Sequence, residues 1–383
     1  MPLTKKGELP SIRGAKCNIP CRILGGLVMI KGMISSAWRR QVFTIAVLGG
    51  MVGISPLANA DEGGVGFWLP GIYGSLAATP QQPGWSLPLI YYHTSVSQSG
   101  SIAAAKEVRV FGLSKTLKVN LDLDLHARGN IGLLVPTYVF PAPVLGGQLA
   151  LGMMVVTGKS NASLDGVLTA SLGPFSTTRT GSIDSAVSGF GDLAPQASLR
   201  WNNGVHNFMI YGAGNIPVGA YEPTRLANLG IGHGAIDGGV GYTYFNPQSG
   251  FEASAVTGLT HNFENPDTSY RNGVDWHLDW GVSQFLSKQF HLGAVGYIYK
   301  QITADSGQPA FLGSNKSRVY GVGPQIGYIF PISDQTQGYL NLKGYYEFDS
   351  YRRPEGWNVW LTFAISPAPP SPTPPPRTAM MRR

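Results

Sequence analysis

The sequence predicts an all-β protein: a transmembrane antiparallel β-barrel of the bacterial outer membrane, with 12–14 strands between residues 85 and 366. Residues 117–126 alternate strictly between apolar and polar side chains, which gives a strand one apolar face and one polar face. An export leader precedes them. Only 13% of the 383 residues are charged, against about 25% in soluble domains, and no apolar run reaches the roughly 18 residues of a spanning helix.

The leader is predicted over residues 1–60. Trp38-Arg39-Arg40 forms a positive region, Val42–Ile54 a short apolar region, and Ala58-Asn59-Ala60 a small-residue cleavage site. We expect cleavage after Ala60, with an uncleaved anchor helix as the alternative. Met33 is an alternative start, because the cationic stretch before it is too long for an ordinary leader.

Charge and cysteine are concentrated in this leader. It holds eight of the 28 Lys/Arg residues and one of the 21 acidic residues, so the remaining chain is neutral overall. The basic isoelectric point therefore indicates no nucleic-acid partner. Both cysteines, Cys17 and Cys21, lie in the leader, so cleavage would leave no disulfide and no thiol nucleophile.

The alternation recurs further along the chain. Segments 274–283, 339–349 and 357–365 each place aromatic and aliphatic side chains on one face. Weaker strands are predicted at 205–215, 234–245, 250–261, 290–301 and 317–330. A secreted β-sandwich also alternates, but strands of about 10–14 residues with charges in the middle favour a barrel.

Connections between these strands alternate between short turns and longer loops, as in outer-membrane barrels. Counting them gives 14 strands, or 12 if one hairpin is absent from the ambiguous stretch 140–187. Residues 61–84 are rich in Gly and Pro and are predicted to be periplasmic or to plug the barrel. Residues 367–383 are predicted to form a disordered proline-rich tail.

Charged residues in the middle of strands are the candidates for the lumen and substrate path. If the lipid-facing set is apolar, the opposite set faces inward; these residues are Lys118, Asp122, Asp124, Asp275, His277, Asp279, Lys343 and Glu347. They either tune solute passage or only form salt bridges across the lumen. Asp192, Tyr221 and Arg225 are candidates for a substrate mouth, although an Asp flanked by Gly also fixes turns.

The residues indicate no enzymatic site. The seven histidines form no metal-binding spacing, so neither a metal nor another cofactor is predicted. No G-x-S-x-G elbow occurs. A barrel lipase is the enzymatic alternative, and it would need a Ser and a His brought together in space.

From about Gly189 onward the chain resembles the outer-membrane transporter family of the meta-pathway of phenol degradation. The resemblance rests on short motifs in order: Gly189–Asp192, Pro217–Tyr221, Asn228–Gly230, Asn262–Asn265, Tyr270–Gly273, Gly296-Tyr297 with Gln301, Asp305–Gly307, Gly323-Pro324 and Pro354–Trp357. It implies a channel for passive uptake of small hydrophobic or aromatic compounds that feed a catabolic pathway. A structural or adhesive barrel is the alternative.

The predicted barrel and the resemblance together indicate the partners of the chain. They are outer-membrane lipid, the small hydrophobic or aromatic solute and the barrel-assembly machinery, with a monomer as the expected state. The stretch after the last strand departs from barrels that end on an aromatic residue, since about 18 residues follow Ile365.

Overall fold

The structure, a computed structural model, describes residues 66–110, 113–307 and 316–370. All regular elements in these ranges are β-strands. They are β1 (Gly84–Val110), β2 (Leu113–Leu134), β3 (Thr137–Val139), β4 (Gln148–Leu172), β5 (Phe175–Asn203), β6 (His206–Asn215), β7 (Ala235–Asn246), β8 (Phe251–Asn262), β9 (Asp275–Phe285), β10 (Phe290–Gln301), β11 (Arg318–Ser333), β12 (Thr336–Tyr351) and β13 (Glu355–Pro367).

One antiparallel sheet closes on itself. Neighbouring strands pair in chain order, and β13 pairs with β1 from Leu87↔Ile365 to Ser97↔Glu355. β2 and β3 form one wall strand interrupted at Val135–Pro136, so the barrel has 12 strands. This closure confirms the predicted barrel and excludes the β-sandwich alternative, which would consist of two separate sheets. The higher count of 14 is wrong because 148–203 forms two long strands instead of four short ones.

Four short turns lie on one rim and the long loops on the other. The turns after β5, β7, β9 and β11 are short, and they share a rim with the start of β1 and the end of β13. In one of them the Asn246 side chain accepts the Gln248 N–H at 2.9 Å. Connections on the other rim include the long loops 216–234 and 263–274. Because outer-membrane barrels have short periplasmic turns, the long loops mark the extracellular rim.

The outer wall carries an apolar band. On β1 it runs through Trp85, Leu87, Leu89 and Tyr91, each at least 40% exposed. Equivalent outward residues on later strands include Ile210, Val240, Leu259, Ile326, Leu342 and Leu361. Four alternate positions on a strand span about 20 Å, which approaches the roughly 25 Å apolar band of such barrels.

Four strands continue well beyond this band on the extracellular side. β1, β2, β4 and β5 have 27, 22, 25 and 29 residues, whereas about 9–11 cross a membrane. We call their paired ends the blade, comprising residues 98–110, 113–125, 164–172 and 175–183. The blade is a four-stranded sheet that rises from one side of the barrel.

The blade reverses the polarity of the membrane-embedded wall. On β2 the pairing is uninterrupted from Leu113 to Leu134, so odd positions share the inward face of Leu133, which lies in the luminal core. Even positions share the outward face of Asn130, whose side chain contacts the exposed Tyr91. The inward set of β2 in the blade is therefore Leu117, Val119, Leu121, Leu123 and Leu125.

A β-bulge changes the orientation of β5. Val155 of β4 pairs with Leu193, but Thr157 pairs with Phe190, so β5 contains one additional residue at Gly191-Asp192. Above the bulge odd residues such as Val187 are buried inside, and below it even residues such as Ala194 are. The extra residue directs the Asp192 side chain inward.

Several sequence-based expectations lie outside the described residues. These are the leader 1–60 with its cleavage site, residues 61–65, and the proline-rich tail beyond residue 370. Among the residues that the structure does describe, none forms a helix capable of crossing a membrane.

Candidate functional site: the barrel lumen

The chain before β1 runs through the lumen. Residues 66–83, here called the luminal segment, have no regular secondary structure. They lie against the inward side chains of β7–β12, mainly through the backbone of Gly71–Ala78. Gly71 has φ +87°, and a Cβ there would lie 2.9 Å from the Tyr345 ring, so the close approach requires glycine.

Lys343 holds one turn of the luminal segment. Its Nζ donates to the carbonyls of Gly71 at 2.6 Å, Ile72 at 2.9 Å and Tyr73 at 3.3 Å. It also lies 5.3 Å from the centre of the Trp360 ring. Lys343 is 4% exposed, so these carbonyls and this ring replace the water that its ammonium group loses.

Carboxylates hold the N–H groups of the same segment. Asp279 accepts the Gly71 N–H at 3.0 Å and the Tyr73 N–H at 3.1 Å. Glu252 accepts the Leu76 N–H at 2.8 Å and a hydrogen bond from Ser254. Lys343 therefore binds carbonyl groups and Asp279 binds N–H groups of the same backbone turn. This recognition depends on the path of the backbone more than on the side chains of the segment.

A buried ring stack joins the segment to the polar wall. The Trp68 ring lies 3.6 Å from that of His277, centre to centre, at an interplanar angle of 13°. His277 Nε2 lies 2.9 Å from Asp237 Oδ2, and Thr260 donates to the same oxygen at 2.6 Å. The carboxylate, imidazole and indole thus form one connected unit between β7, β9 and the luminal segment.

The opposite wall of the lumen is apolar and aromatic. Tyr92 and Trp360 lie 4.2 Å apart, and Tyr297 and Tyr345 lie 4.9 Å apart, between ring centres. Buried aliphatic residues from β2 and β10, including Leu133 and Val295, complete this core with Ile72 and Tyr73 of the segment. The lumen therefore offers an apolar surface on one side and charged groups on the other.

The predicted lumen residues of β9 and β12 do point inward. Asp275, His277 and Asp279 are each at most 1% exposed, and Asp275 accepts a hydrogen bond from Asn262 at 2.9 Å. Glu347 accepts the Tyr297 hydroxyl at 2.6 Å and the Gly356 N–H at 3.0 Å. Asp279 and Glu347 are thus bound by backbone N–H groups, by a tyrosine hydroxyl or by both.

The expectation for β2 needs correction. Lys118, Asp122 and Asp124 lie on the outward face of the blade, opposite to the lumen. Asp124 pairs across the sheet with Asp165. Their strand segment lies above the membrane, where the outer face meets water and the inner face is apolar, so the polarity rule for lipid-facing strands does not apply there.

Asp192 organises the loop between β6 and β7. Its carboxylate accepts the Gly219 N–H at 2.8 Å, the Ile231 N–H at 2.9 Å and the Asn215 amide at 3.0 Å. Gly219 approaches so closely that an added Cβ would lie 2.4 Å from Gly191. Asp192 thereby fixes the ends of the loop to the β5 bulge.

The other two mouth candidates act within loops. The Tyr221 hydroxyl accepts from Asn265 at 2.7 Å, which ties the β6–β7 loop to the β8–β9 loop. Arg225 donates to Asn228 at 3.1 and 3.2 Å inside its own loop. Both residues therefore lie in loop contacts, Tyr221 between two loops and Arg225 within one.

Sequence reasoning missed one Ser–His contact. Ser283 Oγ lies 3.1 Å from His291 Nδ1, although the two residues lie on different strands. The same hydroxyl lies 2.8 Å from Ser75 Oγ and accepts from Gln325 at 3.0 Å, and Ser283 is 2% exposed. These contacts hold the luminal segment against the wall and leave the hydroxyl closed to a lipid. Ser283 and His291 come together through the pairing register of β9 and β10, and the sequence alone does not give that register.

Comparisons with known proteins agree with this architecture. An outer membrane channel from Pseudomonas putida F1, known from a crystal structure, superposes with a TM-score of 0.53 at 15% identity, over 79% of this chain and 100% of that chain. A FadL homologue from Pseudomonas aeruginosa has a TM-score of 0.30 and 9% identity, over 74% and 90% of the two chains, too low to support an argument. No curated protein matches the chain.

The family comparison covers most of the barrel. A family model described as "Putative MetA-pathway of phenol degradation" matches residues 95–363, which is more than half of the 383 residues. The matched range starts in β1 and ends in β13, so it includes the wall, the blade and the anchored loops. The resemblance inferred from the short motifs is thereby confirmed, and the chain belongs to the MetA-pathway of phenol degradation family.

Proposed function

We propose that this barrel is an outer-membrane channel for passive uptake of small hydrophobic or aromatic compounds. The observation that carries the proposal is a continuous apolar line on the inner face of β2. Every inward position from Leu117 to Leu133 is Leu, Val, Ala, Gly or Ile. Nine alternate positions at about 3.3 Å per residue cover roughly 50 Å.

This line connects the extracellular blade to the luminal aromatic wall. Ile131 and Leu133 contact the cluster that contains Trp360 and Tyr297. β4 contributes a parallel line through Leu172, Leu168 and Leu164. An apolar solute could stay in contact with apolar surface along this path, whereas a polar solute would gain nothing from it.

The luminal segment acts as the gate in this proposal. It occupies the space between the aromatic wall and the charged wall, so a solute must displace part of it. Its backbone is held by hydrogen bonds to side chains on fixed strands, which can be exchanged for water in a wet lumen. Local displacement is therefore less costly than opening the sheet, whose ladder bonds close the wall.

A reversible lock tests both the channel and its gate. Ser75 Oγ and Ser283 Oγ are 2.8 Å apart, so a Ser75→Cys/Ser283→Cys variant can form a disulfide between segment and wall. In a strain lacking the native protein, the oxidised variant should restore little uptake of an aromatic compound at low external concentration. Reduction should return uptake to the level of either single-cysteine variant.

The outcomes separate the competing functions. Equal uptake by the oxidised and reduced variants would show that the segment is not the gate. Equal uptake with and without the native protein, across a panel of apolar and aromatic compounds, would exclude transport and favour a structural or adhesive barrel.

A further inference from the structure

A groove crosses the wall where the blade leaves the barrel. It has a volume of about 900 Å³ and is lined by residues 95–97, 126–128, 161–163, 184–186 and 355–357. These positions form three adjacent rows across β13, β1, β2, β4 and β5, because Ser97, His126, Ser163 and Asp184 pair in register. Five strands at about 4.8 Å spacing give the groove a length near 19 Å.

The groove opens on the outer face. Its middle row, which includes Ala127 and Ala162, points inward and packs against Leu226 and Ala227 of the β6–β7 loop. That loop contributes nothing to the groove. The two flanking rows point outward, and they supply its polar side chains.

The position of the groove matches the headgroup layer of the outer leaflet. The apolar band on β1 ends at Tyr91, and the outward positions above it are His93, Ser95 and Ser97. At about 6.6 Å per alternate residue, the two groove rows lie roughly 13–20 Å above Tyr91 along the strand, and less above the membrane because the strand is tilted. This is the layer of lipid phosphates and sugars.

The groove separates its charges by height. Arg128 lies in the lower, membrane-side row, and Lys159 lies diagonally below it because Lys159 pairs with Asn130. Asp184 and Glu355 lie at the two ends of the upper row, with Ser97, His126 and Ser163 between them. Both cations are exposed, and the ion pairs found among the described residues lie elsewhere.

We propose that this groove binds the phosphorylated sugar headgroup of lipopolysaccharide. Arg128 and Lys159 would contact phosphate on the membrane side, since guanidinium and ammonium groups form strong charge-assisted bonds to phosphate oxygens. Asn161 beside Arg128, together with the serine hydroxyls and the two acids of the upper row, suits sugar hydroxyls. Trp357, 47% exposed at the end of the lower row, provides an aromatic face beside the sugar.

The arrangement favours this lipid over other occupants. A phospholipid headgroup is short and would engage the cations without reaching the upper row. A free phosphate ion would use Arg128 and Lys159 and leave the remaining length of the groove empty. A disaccharide that carries phosphate uses both rows, and its acyl chains descend along the apolar band below.

The test measures lipid retention by the full-length protein purified in detergent. Native mass spectrometry would count bound Kdo2-lipid A, with phosphatidylglycerol and inorganic phosphate as competitors. We expect retention by the native protein and at least about a tenfold weaker affinity for each of Arg128→Ala and Lys159→Ala, because each loses one charge-assisted contact. Lys118→Ala is the matched control. Lys118 also points outward on β2, but it lies ten residues from Arg128 toward the blade tip and therefore outside the groove.

Each result decides the proposal. Retention that falls in the two variants but not in the control supports it, provided that the heat-dependent gel shift of a folded barrel is unchanged. Equal retention by all four proteins would overturn it. So would displacement by equimolar phosphatidylglycerol or by inorganic phosphate, which would indicate a general anion patch. This experiment measures lipid binding and not uptake. A negative result would therefore overturn the lipid site without deciding the transport proposal, which the disulfide lock tests.

Discussion

Replacing Lys343 should release the luminal segment. Lys343→Met keeps most of the side-chain length but removes the ammonium group that donates to Gly71, Ile72 and Tyr73. The two shorter bonds, at 2.6 and 2.9 Å, are charge-assisted and are each worth about 1.5 kcal/mol or more, and the third, at 3.3 Å, adds little. The loss of about 3 kcal/mol corresponds to roughly a 150-fold shift toward the displaced segment.

Single-channel recording in planar bilayers measures this shift as an increase in open probability. A second readout is the rate at which a maleimide labels Ser75→Cys, which should rise in the Lys343→Met background. Lys288→Met is the matched control, because Lys288 is exposed in the β9–β10 turn and has no contact with the segment among the described interactions. An unchanged open probability and labelling rate in a correctly folded Lys343→Met barrel would refute the idea that this lysine holds the gate.

Three further predictions concern the ring stack in the lumen, the β6–β7 loop and the blade. Trp68→Ala removes the stack on His277 and should cost the closed state about 3 kcal/mol, raising conductance while the thermal stability of the barrel stays close to native. Asp192→Ala leaves the Gly219 and Ile231 N–H groups unpaired and should make residues 216–234 sensitive to limited proteolysis, whereas equal sensitivity to the native protein would contradict its anchoring role. Leu123→Asn, on the inner face of the blade, should reduce uptake of apolar solutes severalfold, and Asp122→Asn on the outer face should not; the reverse pattern would contradict the proposed path.

The sequence predicted the barrel because alternation is a local property of strands. The same property could not assign the direction of each face. On β9 and β12 the apolar set meets lipid, so Asp279 and Lys343 point inward as expected. On the blade of β2 the outer face meets water, and Asp122 points outward. Only the position of each segment relative to the membrane distinguishes the two cases.

The path of the luminal segment was harder to predict than the wall. Residues 66–83 have no periodicity. Most of the hydrogen bonds that hold their backbone come from partners 165 to 274 residues away along the chain, such as Thr243 for Ala78 and Tyr345 for Gly71. The Gly/Pro content indicated an irregular segment but not its path. The groove above the membrane was missed for a related reason, because its residues come from five strands that only the closed register brings together.

The blade should affect the rate at which the barrel inserts into a membrane. Its outer face carries Asp122, Asp124 and Asp165, and Asp184 lies on β5 just below it. All four must cross the hydrocarbon layer before they reach the extracellular side. Translocating even one carboxylate through the bilayer centre costs a few kcal/mol, and here four cross on two adjacent hairpins. Spontaneous insertion into pure lipid should therefore be slow, and we expect a catalyst that opens a path for these hairpins to accelerate it.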